Sequence, residues 1–420
     1  MAMVDKLRMA PVSQKLYTKT VSDLGEAVSS ELQQLNIGRK IRGKNIAITG
    51  GSRGVARIPE VLFHIARFVE ESGGKPFLFA AMGSHGGATI KGQKLMLDGL
   101  GVTENSVGAP MRITNDVEQI DTANDYPVFI DKEAVGADGI IVVNRVKHHT
   151  DLTGKQESGL FKMIAVGMGK RPGADMVHSD GLRSMAQLIP TFANSALKNL
   201  PILGGLGVIE NGYHNVARIA GAKPTQFALA EQEMLRFWKR IRPQIPFDDI
   251  DVLIVEQMGK DISGAGMDTK TIGRLMVAGA AEPKRPYVRI ILPLDLTPGS
   301  HGNAAGLGLA NVTTKRLMRK VNEEHTTLNI MTSGLMERLK TPRVEKTERE
   351  ALDWALKAAK VRKVEQARVV RIRDTNSLWQ LHASEALLTN VARNRKLEMA
   401  GSLETVSFRG DGRLMPVNYD

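Results

Sequence analysis

Two histidines in this chain have surroundings suited to acid–base chemistry. His85 lies between glycines in the segment Gly83–Gly87 (GSHGG), and His149 lies in the string KHHT, each shortly after an apolar run. An imidazole whose pKa is near 6.5 can take up and return a proton at neutral pH. The flanking glycines let the backbone approach a ligand while the ring of His85 stays accessible. We therefore predict that His85 and His149 are catalytic, although a histidine in a loop is often only a surface residue.

His148 competes with His149 for the second catalytic position. Adjacent residues of an extended segment point to opposite sides, so at most one of the two rings is expected to face a site. The sequence does not decide between them.

A lysine and an arginine are the next candidates. Lys162 lies among apolar and small residues, and His178 follows later in the same glycine-rich stretch. A desolvated lysine loses its proton readily and can then act as a nucleophile or a covalent anchor; a lysine that extends its ammonium to solvent is the alternative. Arg53 lies in the loop sequence AITGGSRGVAR, where a guanidinium suits a phosphate or a carboxylate.

A second amide and ammonium pair lies further along the chain. Gln257 and Lys260 follow an apolar run in the string QMGKD. Together they can bind a carboxylate, although a solvated turn is an equally plain interpretation.

Short apolar runs that end in glycine-rich or polar loops predict the strands that position these residues. They are Lys44–Thr49, Lys75–Met82, Gly139–Asn144 and Ile250–Glu256. Apolar residues at three- and four-residue spacing predict helices over Pro59–Glu71 and Lys91–Leu97. Ligands of α/β sheets bind beyond the carboxyl ends of the strands, so Arg53, His85 and His149 are expected to share one crevice.

The chain is long enough for two domains, because a single core stops growing at about 250–300 residues. We predict an α/β fold with two domains, each a mixed sheet flanked by helices, and an active site in the cleft between them. The predicted ranges are 1–247 for the cofactor-binding catalytic domain and 248–395 for the C-terminal domain. Residues 396–420 are predicted to be a tail that packs back on the N-terminal domain.

Composition excludes several kinds of protein. The chain has no cysteine, which rules out disulfides, thiolate metal sites and a cysteine nucleophile. The formal net charge of +12 is spread along the chain without a basic run, so nucleic acid is not the expected partner. No apolar run approaches the roughly 18–20 residues that span a bilayer, and the N-terminus lacks an apolar signal region, so we expect a cytoplasmic protein without a membrane partner.

A nicotinamide-dependent oxidoreductase is the first alternative. The loop containing Arg53 resembles TGxxxGxG, but Ala56 takes the place of the last glycine and no tyrosine is followed four residues later by lysine. An NAD(P)-dependent enzyme and a non-enzymatic binder of acidic ligands remain open.

The candidate residues taken together resemble the lactate racemase family of 2-hydroxy-acid racemases and epimerases. The resemblance covers about Ile48 to Arg274. The family's functional residues, in its order, fall on Arg53, His85, His149, Lys162, His178, Gln257 and Lys260. The sixteen positions from Lys162 to His178 and the three from Gln257 to Lys260 match the family's spacing.

The resemblance implies an isomerase that inverts C2 of a 2-hydroxy acid. Its cofactor would be a nickel-pincer nucleotide attached covalently at Lys162, with His178 as the protein ligand to nickel. His85 and His149 would be the two acid–base groups, one for the hydroxyl of each enantiomer. Proteins of cofactor biosynthesis would be partners of the chain.

The resemblance also assigns substrate contacts. Lys260 and Gln257 would hold the substrate carboxylate, and Arg53 would bind the cofactor phosphate or the same carboxylate. Gly86 stands where lactate racemases tend to carry arginine, and the loop after His149 is about three residues longer than in lactate racemase itself. The hydroxy acid, which includes sugar acids among the possibilities, and the oligomeric state stay open.

Overall fold

The computed structural model describes residues 2–51, 54–179 and 181–419, and for Arg183 it describes the backbone alone. The predicted site residue Arg53 lies outside the described residues. No helix within the described part of the chain is long and apolar enough to cross a membrane.

The strands are short and distributed along the whole chain. In chain order they are β1 (Arg8–Gln14), β2 (Asn45–Gly50), β3 (Lys75–Ala80), β4 (Met111–Arg112), β5 (Val117–Ala123), β6 (Tyr126–Asp131), β7 (Gly139–Arg145), β8 (Ile202–Glu210), β9 (Val216–Ala222), β10 (Asp249–Met258), β11 (Tyr287–Leu296), β12 (Val312–Thr314), β13 (Arg343–Glu345), β14 (Val369–Ile372), β15 (Gln380–Ser384), β16 (Leu397–Met399) and β17 (Glu404–Thr405).

The α-helices lie between these strands. In chain order they are α1 (Leu24–Gln34), α2 (Gly38–Ile41), α3 (Ile58–Glu71), α4 (Ile90–Gly99), α5 (Glu104–Val107), α6 (Lys132–Val135), α7 (Leu160–Lys162), α8 (Lys170–Val177), α9 (Gly181–Asn199), α10 (Phe227–Ile241), α11 (Lys315–Met318), α12 (Glu323–Ser333), α13 (Glu348–Ala358) and α14 (Leu388–Arg393).

The chain forms two compact units. The N-terminal unit is Thr18–Ile241, and the C-terminal unit combines Met1–Tyr17 with Arg242–Asp420. This division differs from the predicted one at the chain termini. Strand β1 pairs antiparallel with β15, which places the first residues in the C-terminal unit, and the tail strands β16 and β17 also pair with β1.

The sheet of the N-terminal unit has the order β4-β3-β2-β7-β8-β9. All neighbouring pairs from β4 to β8 are parallel, and only β9 is antiparallel to its neighbour. Strands β2, β3 and β7 are buried along nearly their whole length, which is why their sequences are continuous apolar runs instead of alternating ones. A separate hairpin pairs β5 with β6.

Helix α3 shows how the helices cover this sheet. Its buried residues recur at three- and four-residue spacing and comprise Ile58, Val61, Leu62, Ile65, Ala66 and Val69. They pack into one core cluster with residues of β2, β3, β7 and β8. The sequence predicted this helix and the strands before and after it to within two residues.

The sheet of the C-terminal unit is also mixed. Strand β10 pairs in parallel with β11 and β14, while β14, β15 and β1 pair antiparallel in turn. Helix α13 buries its apolar face in one of the two core clusters of this unit. The predicted α/β class, with mixed sheets flanked by helices, is confirmed.

Candidate functional site

The carboxyl ends of β3, β2, β7 and β8 meet at one edge of the N-terminal sheet, because these strands are adjacent and parallel. The loop after β3 carries His85, and the loop after β7 carries His149. The structure therefore brings both predicted histidines to the same sheet edge, and both are half-buried there.

A folded-back helical segment lies against this edge. Helix α7 continues into a π-helical turn, Met163–Met168, and α8 begins at Lys170, whose φ is +51°. A Cβ added at Gly173 would lie 3.2 Å from the carbonyl oxygen of Ala165. In a straight helix, Ala165 and Gly173 would be about 12 Å apart along the axis, because they are eight positions apart. Their close approach therefore shows that the chain turns back at Lys170.

Lys162 and His178 lie on the two sides of this reversal, close enough for the charge of Lys162 to act on the imidazole. Burial lowers the pKa of the His178 imidazole, and the positive charge of Lys162 lowers it further. Nδ1 of His178 lies 2.6 Å from the carbonyl oxygen of Ala174, which accepts the Nδ1 proton. The ring is therefore neutral near pH 7 and keeps the lone pair of Nε2 for a ligand, as a metal-binding histidine requires.

The π-helical turn contacts the loops that follow β2 and β3. The backbone N–H of Gly83 donates to the carbonyl oxygen of Gly167 at 3.2 Å. A Cβ at Gly167 would lie 2.8 Å from the oxygen of Ala81, and a Cβ at Gly51 would lie 3.1 Å from Cε of Met163. The loop carrying His85 is therefore packed directly on the segment that carries Lys162 and His178.

The His85 loop needs glycine at the position after the histidine. Gly86 has φ +66°, and a Cβ there would lie 2.6 Å from the backbone nitrogen of Gln93. Helix α4 thus approaches the loop too closely for a side chain at position 86. A larger side chain such as arginine at this position would therefore clash with α4.

His149 has a defined tautomer. Its Nδ1 accepts the backbone N–H groups of Asp151 at 3.0 Å and Leu152 at 3.1 Å. The neutral ring therefore carries its proton on Nε2. His148 is 5% exposed, and its ring packs edge-on against Trp238 with the centroids 4.5 Å apart. Of the two adjacent histidines, His148 packs into the interior.

Buried Glu157 holds the His149 loop. Its carboxylate accepts the backbone N–H of His149 at 3.0 Å and the ammonium of Lys239 at 2.6 Å. At the base of the same loop, Lys147 and Ser158 form an antiparallel bridge. These contacts hold the start and the end of the loop between His149 and α7 together.

A second buried carboxylate supports the start of α7. Glu231, which is 1% exposed, accepts the backbone N–H of Phe161 at 2.8 Å. Burial raises the pKa of Glu231 to about 7, although backbone hydrogen bonds from Phe161 and Leu160 oppose the shift. A Cβ at Gly159 would lie 2.7 Å from Cδ of Glu231, so glycine is needed where the carboxylate reaches the helix. Sequence reasoning missed both Glu157 and Glu231.

Gln257 and Lys260 lie in the C-terminal unit, at and just after the carboxyl end of β10. Gln257 is exposed on β10. Lys260 is half-buried, its backbone N–H donates to Oγ of Ser300 at 2.8 Å, and its ammonium donates to Oδ1 of Asn329 at 2.8 Å.

Protein side chains alone do not form a metal site in the part of the chain that is described: no group of three or more His, Asp or Glu residues there is arranged to hold an ion.

Comparison with known proteins supports the fold. No family model matches the chain, and neither does any curated protein. The chain is similar to the solved structure of the lactate racemase apoprotein from Thermoanaerobacterium thermosaccharolyticum, with 13% sequence identity and a TM-score of 0.53. The similarity covers 86% of this chain and 93% of that chain. At this identity the comparison shows a shared fold, the one expected from the sequence resemblance.

Proposed function

We propose that this protein is an isomerase that inverts C2 of a 2-hydroxy acid, using a nickel-pincer nucleotide attached to Lys162. The observation that carries the proposal is the reversal of the chain at Lys170, which brings Lys162 within electrostatic reach of His178. Similarity of fold to a lactate racemase apoprotein supports the same reaction class.

The residues present suit this cofactor. His178 offers a neutral ring with its Nδ1 proton bound to a carbonyl and its Nε2 lone pair available, which suits a divalent transition metal. Lys162 is half-buried at the end of α7, where it can be joined to the cofactor. One protein ligand is sufficient, because the pincer brings its own sulfur and carbon donors. Held by Lys162 and His178, the bound group would supply a reversible hydride acceptor for C2 of the substrate.

His85 supplies the proton transfer that accompanies loss and return of the hydride, and His149 supplies a hydrogen bond to the same substrate oxygen. We assign the base to His85, which lies between glycines on a loop held against the π-helical turn. Because Nδ1 of His149 accepts two backbone N–H groups, its neutral ring presents Nε2–H to the substrate oxygen as a donor. His149 is the better candidate than His148, whose ring packs on Trp238.

The carboxylate of the substrate needs a cationic partner. Lys260 and Gln257 are proposed for this role on the strength of the sequence resemblance. Arg53 is proposed for the cofactor phosphate or the same carboxylate. Proteins that make and load the cofactor are the proposed partners.

The test is inversion of single enantiomers by protein produced together with the cofactor's biosynthetic enzymes. Aliphatic, aromatic and sugar-derived 2-hydroxy acids labelled with deuterium at C2 are incubated with the protein and separated by chiral chromatography. We expect at least one to be inverted with its C2 deuterium retained, and K162R to be inactive. Loss of the label to water would contradict hydride transfer, and no inversion by loaded protein would contradict the proposed function.

A further inference from the structure

Lys170 is a buried lysine with three partners. Its side chain is 2% exposed, and Nζ donates to the carbonyl oxygen of Ala80 at 2.8 Å and to Oε1 of Gln93 at 2.7 Å. Nζ also forms an ion pair with Oδ2 of Asp131 at 3.3 Å. Removing an ammonium group from water is unfavourable, so this position is tolerated because the three partners compensate.

The backbone of Lys170 is also unusual. Its φ of +51° is in the left-handed region, which is unfavourable for a non-glycine residue. The residue therefore combines a buried charge with a strained backbone, at the point where the chain reverses between the π-helical turn and α8. Such a combination persists where surrounding contacts determine the conformation, and it is common at functional sites.

The partners of Lys170 lie on both sides of the His85 loop. Ala80 is the last residue of β3, just before the loop, and Gln93 lies in α4, just after it. The amide of Gln93 also donates to the carbonyl oxygen of Gly83, at 3.5 Å. One ammonium group thus ties the two ends of the His85 loop to the turn that leads to His178.

We propose that Lys170 is a positioning residue that keeps His85 in a fixed position relative to Lys162 and His178. Its effect on turnover rests on the proposed function, whereas the structural link between the two segments does not. A displacement of a reacting group by about 1 Å can cost about 100-fold in rate. Loss of the Lys170 ammonium is therefore expected to lower kcat more than it changes KM.

The variant K170M/D131L separates positioning from stability. Replacing both members of a buried ion pair by apolar residues of similar volume is often neutral for stability. The single variant K170M gives the same comparison if the double variant does not fold, because burial already raises the pKa of Asp131 to about 6 and lets it take a proton. V69A, in the buried face of α3, is the matched control for a general loss of core packing.

Two readouts are compared in these variants. Hydrogen exchange by mass spectrometry follows residues 81–88 and 170–178, with β9 as the reference segment. In K170M/D131L we expect exchange in both site segments to rise about tenfold or more while β9 is unchanged. In protein loaded with cofactor, we expect kcat per loaded chain to fall about tenfold or more, with KM nearly unchanged.

The proposal is overturned if the two segments exchange at the wild-type rate, or if exchange rises uniformly across the protein as expected for V69A. An unchanged kcat would also overturn it. If the wild-type protein inverts no hydroxy acid, the proposed function fails, and the exchange data still decide whether Lys170 links the two segments.

Discussion

Burial lowers the pKa of the His178 imidazole and the charge of Lys162 lowers it further, although Lys162 lies sixteen positions earlier in the sequence. A straight helix would separate their Cα atoms by about 24 Å. The reversal at Lys170 shortens that separation. The electrostatic effect of Lys162 on the imidazole supports the proximity of the pair.

Replacing Lys162 is expected to raise the pKa of His178. In K162M the repulsive charge is gone, so the ring should titrate closer to its usual value of 6.5, while burial still holds it below that value. The measurement is a pH titration of the histidine ring signals by NMR in the protein without cofactor. K155M, at an exposed lysine, is the control, and an unchanged midpoint in K162M would show that the two side chains are not close.

Replacing Glu231 is expected to change how stability depends on pH. The folded protein holds the Glu231 proton up to about pH 7, whereas the unfolded chain releases it near pH 4.5. Stability from this group is therefore fully present below pH 4.5 and is lost as the pH rises through 7. Relative to E231Q, the free energy of unfolding of the wild type should fall by up to about 3 kcal/mol over this range.

Urea denaturation at several pH values measures this difference. E233Q, on the exposed side of the same helix, should follow the wild-type curve. Parallel curves for wild type and E231Q would mean that the carboxyl group is not protonated in the folded protein.

Alanine at Gly86 is expected to destabilise the His85 loop more than alanine at Gly87. Both glycines have positive φ, but only at Gly86 would the added Cβ meet a backbone atom. The left-handed conformation alone costs G87A about 1–2 kcal/mol, and G86A should lose more. G99A, which has open space at the end of α4, is the control in the same denaturation experiment. Equal losses in G86A and G87A would contradict the close approach of α4.

Glutamine should replace His149 better than it replaces His85. A glutamine amide can donate a hydrogen bond from about the position of Nε2, but it cannot act as a base. We therefore expect H85Q to lose about 10²–10⁴-fold in kcat and H149Q only about tenfold. The comparison uses loaded protein and both enantiomers of the same substrate. Similar losses in the two variants would indicate that His149 also acts as a base.

The sequence predicted β2, β3 and β7 of the N-terminal unit and the loops after them, because buried parallel strands are continuous apolar runs and these loops contain glycine or polar residues; it did not predict the other strands of this unit. It therefore predicted that His85 and His149 share a sheet edge. It did not predict the supporting residues. Lys170 binds partners 77 and 90 positions away, and Glu231 binds a backbone N–H 70 positions away. Such long-range contacts leave no local pattern.

Long-range contacts also explain why the prediction for the C-terminal tail was wrong. The predicted tail was expected on the N-terminal domain, but β16 and β17 pair with β1 inside the C-terminal unit. Strands β12 and β13, which pair with each other, were also not predicted; they lie in a charge-mixed part of the chain that is rich in helices. Short strands of three residues carry too little periodicity to be recognised in a charge-mixed sequence.

The central claim is that Lys162 carries a nickel-containing nucleotide cofactor. It is tested most directly by the intact mass and nickel content of protein produced together with the cofactor's biosynthetic enzymes, followed by peptide mapping. We expect a mass increase on the peptide containing Lys162, bound nickel, and neither of these in K162R; H178Q should keep the adduct but hold nickel less tightly. An unmodified, nickel-free chain, obtained where a known lactate racemase is loaded, would contradict the account.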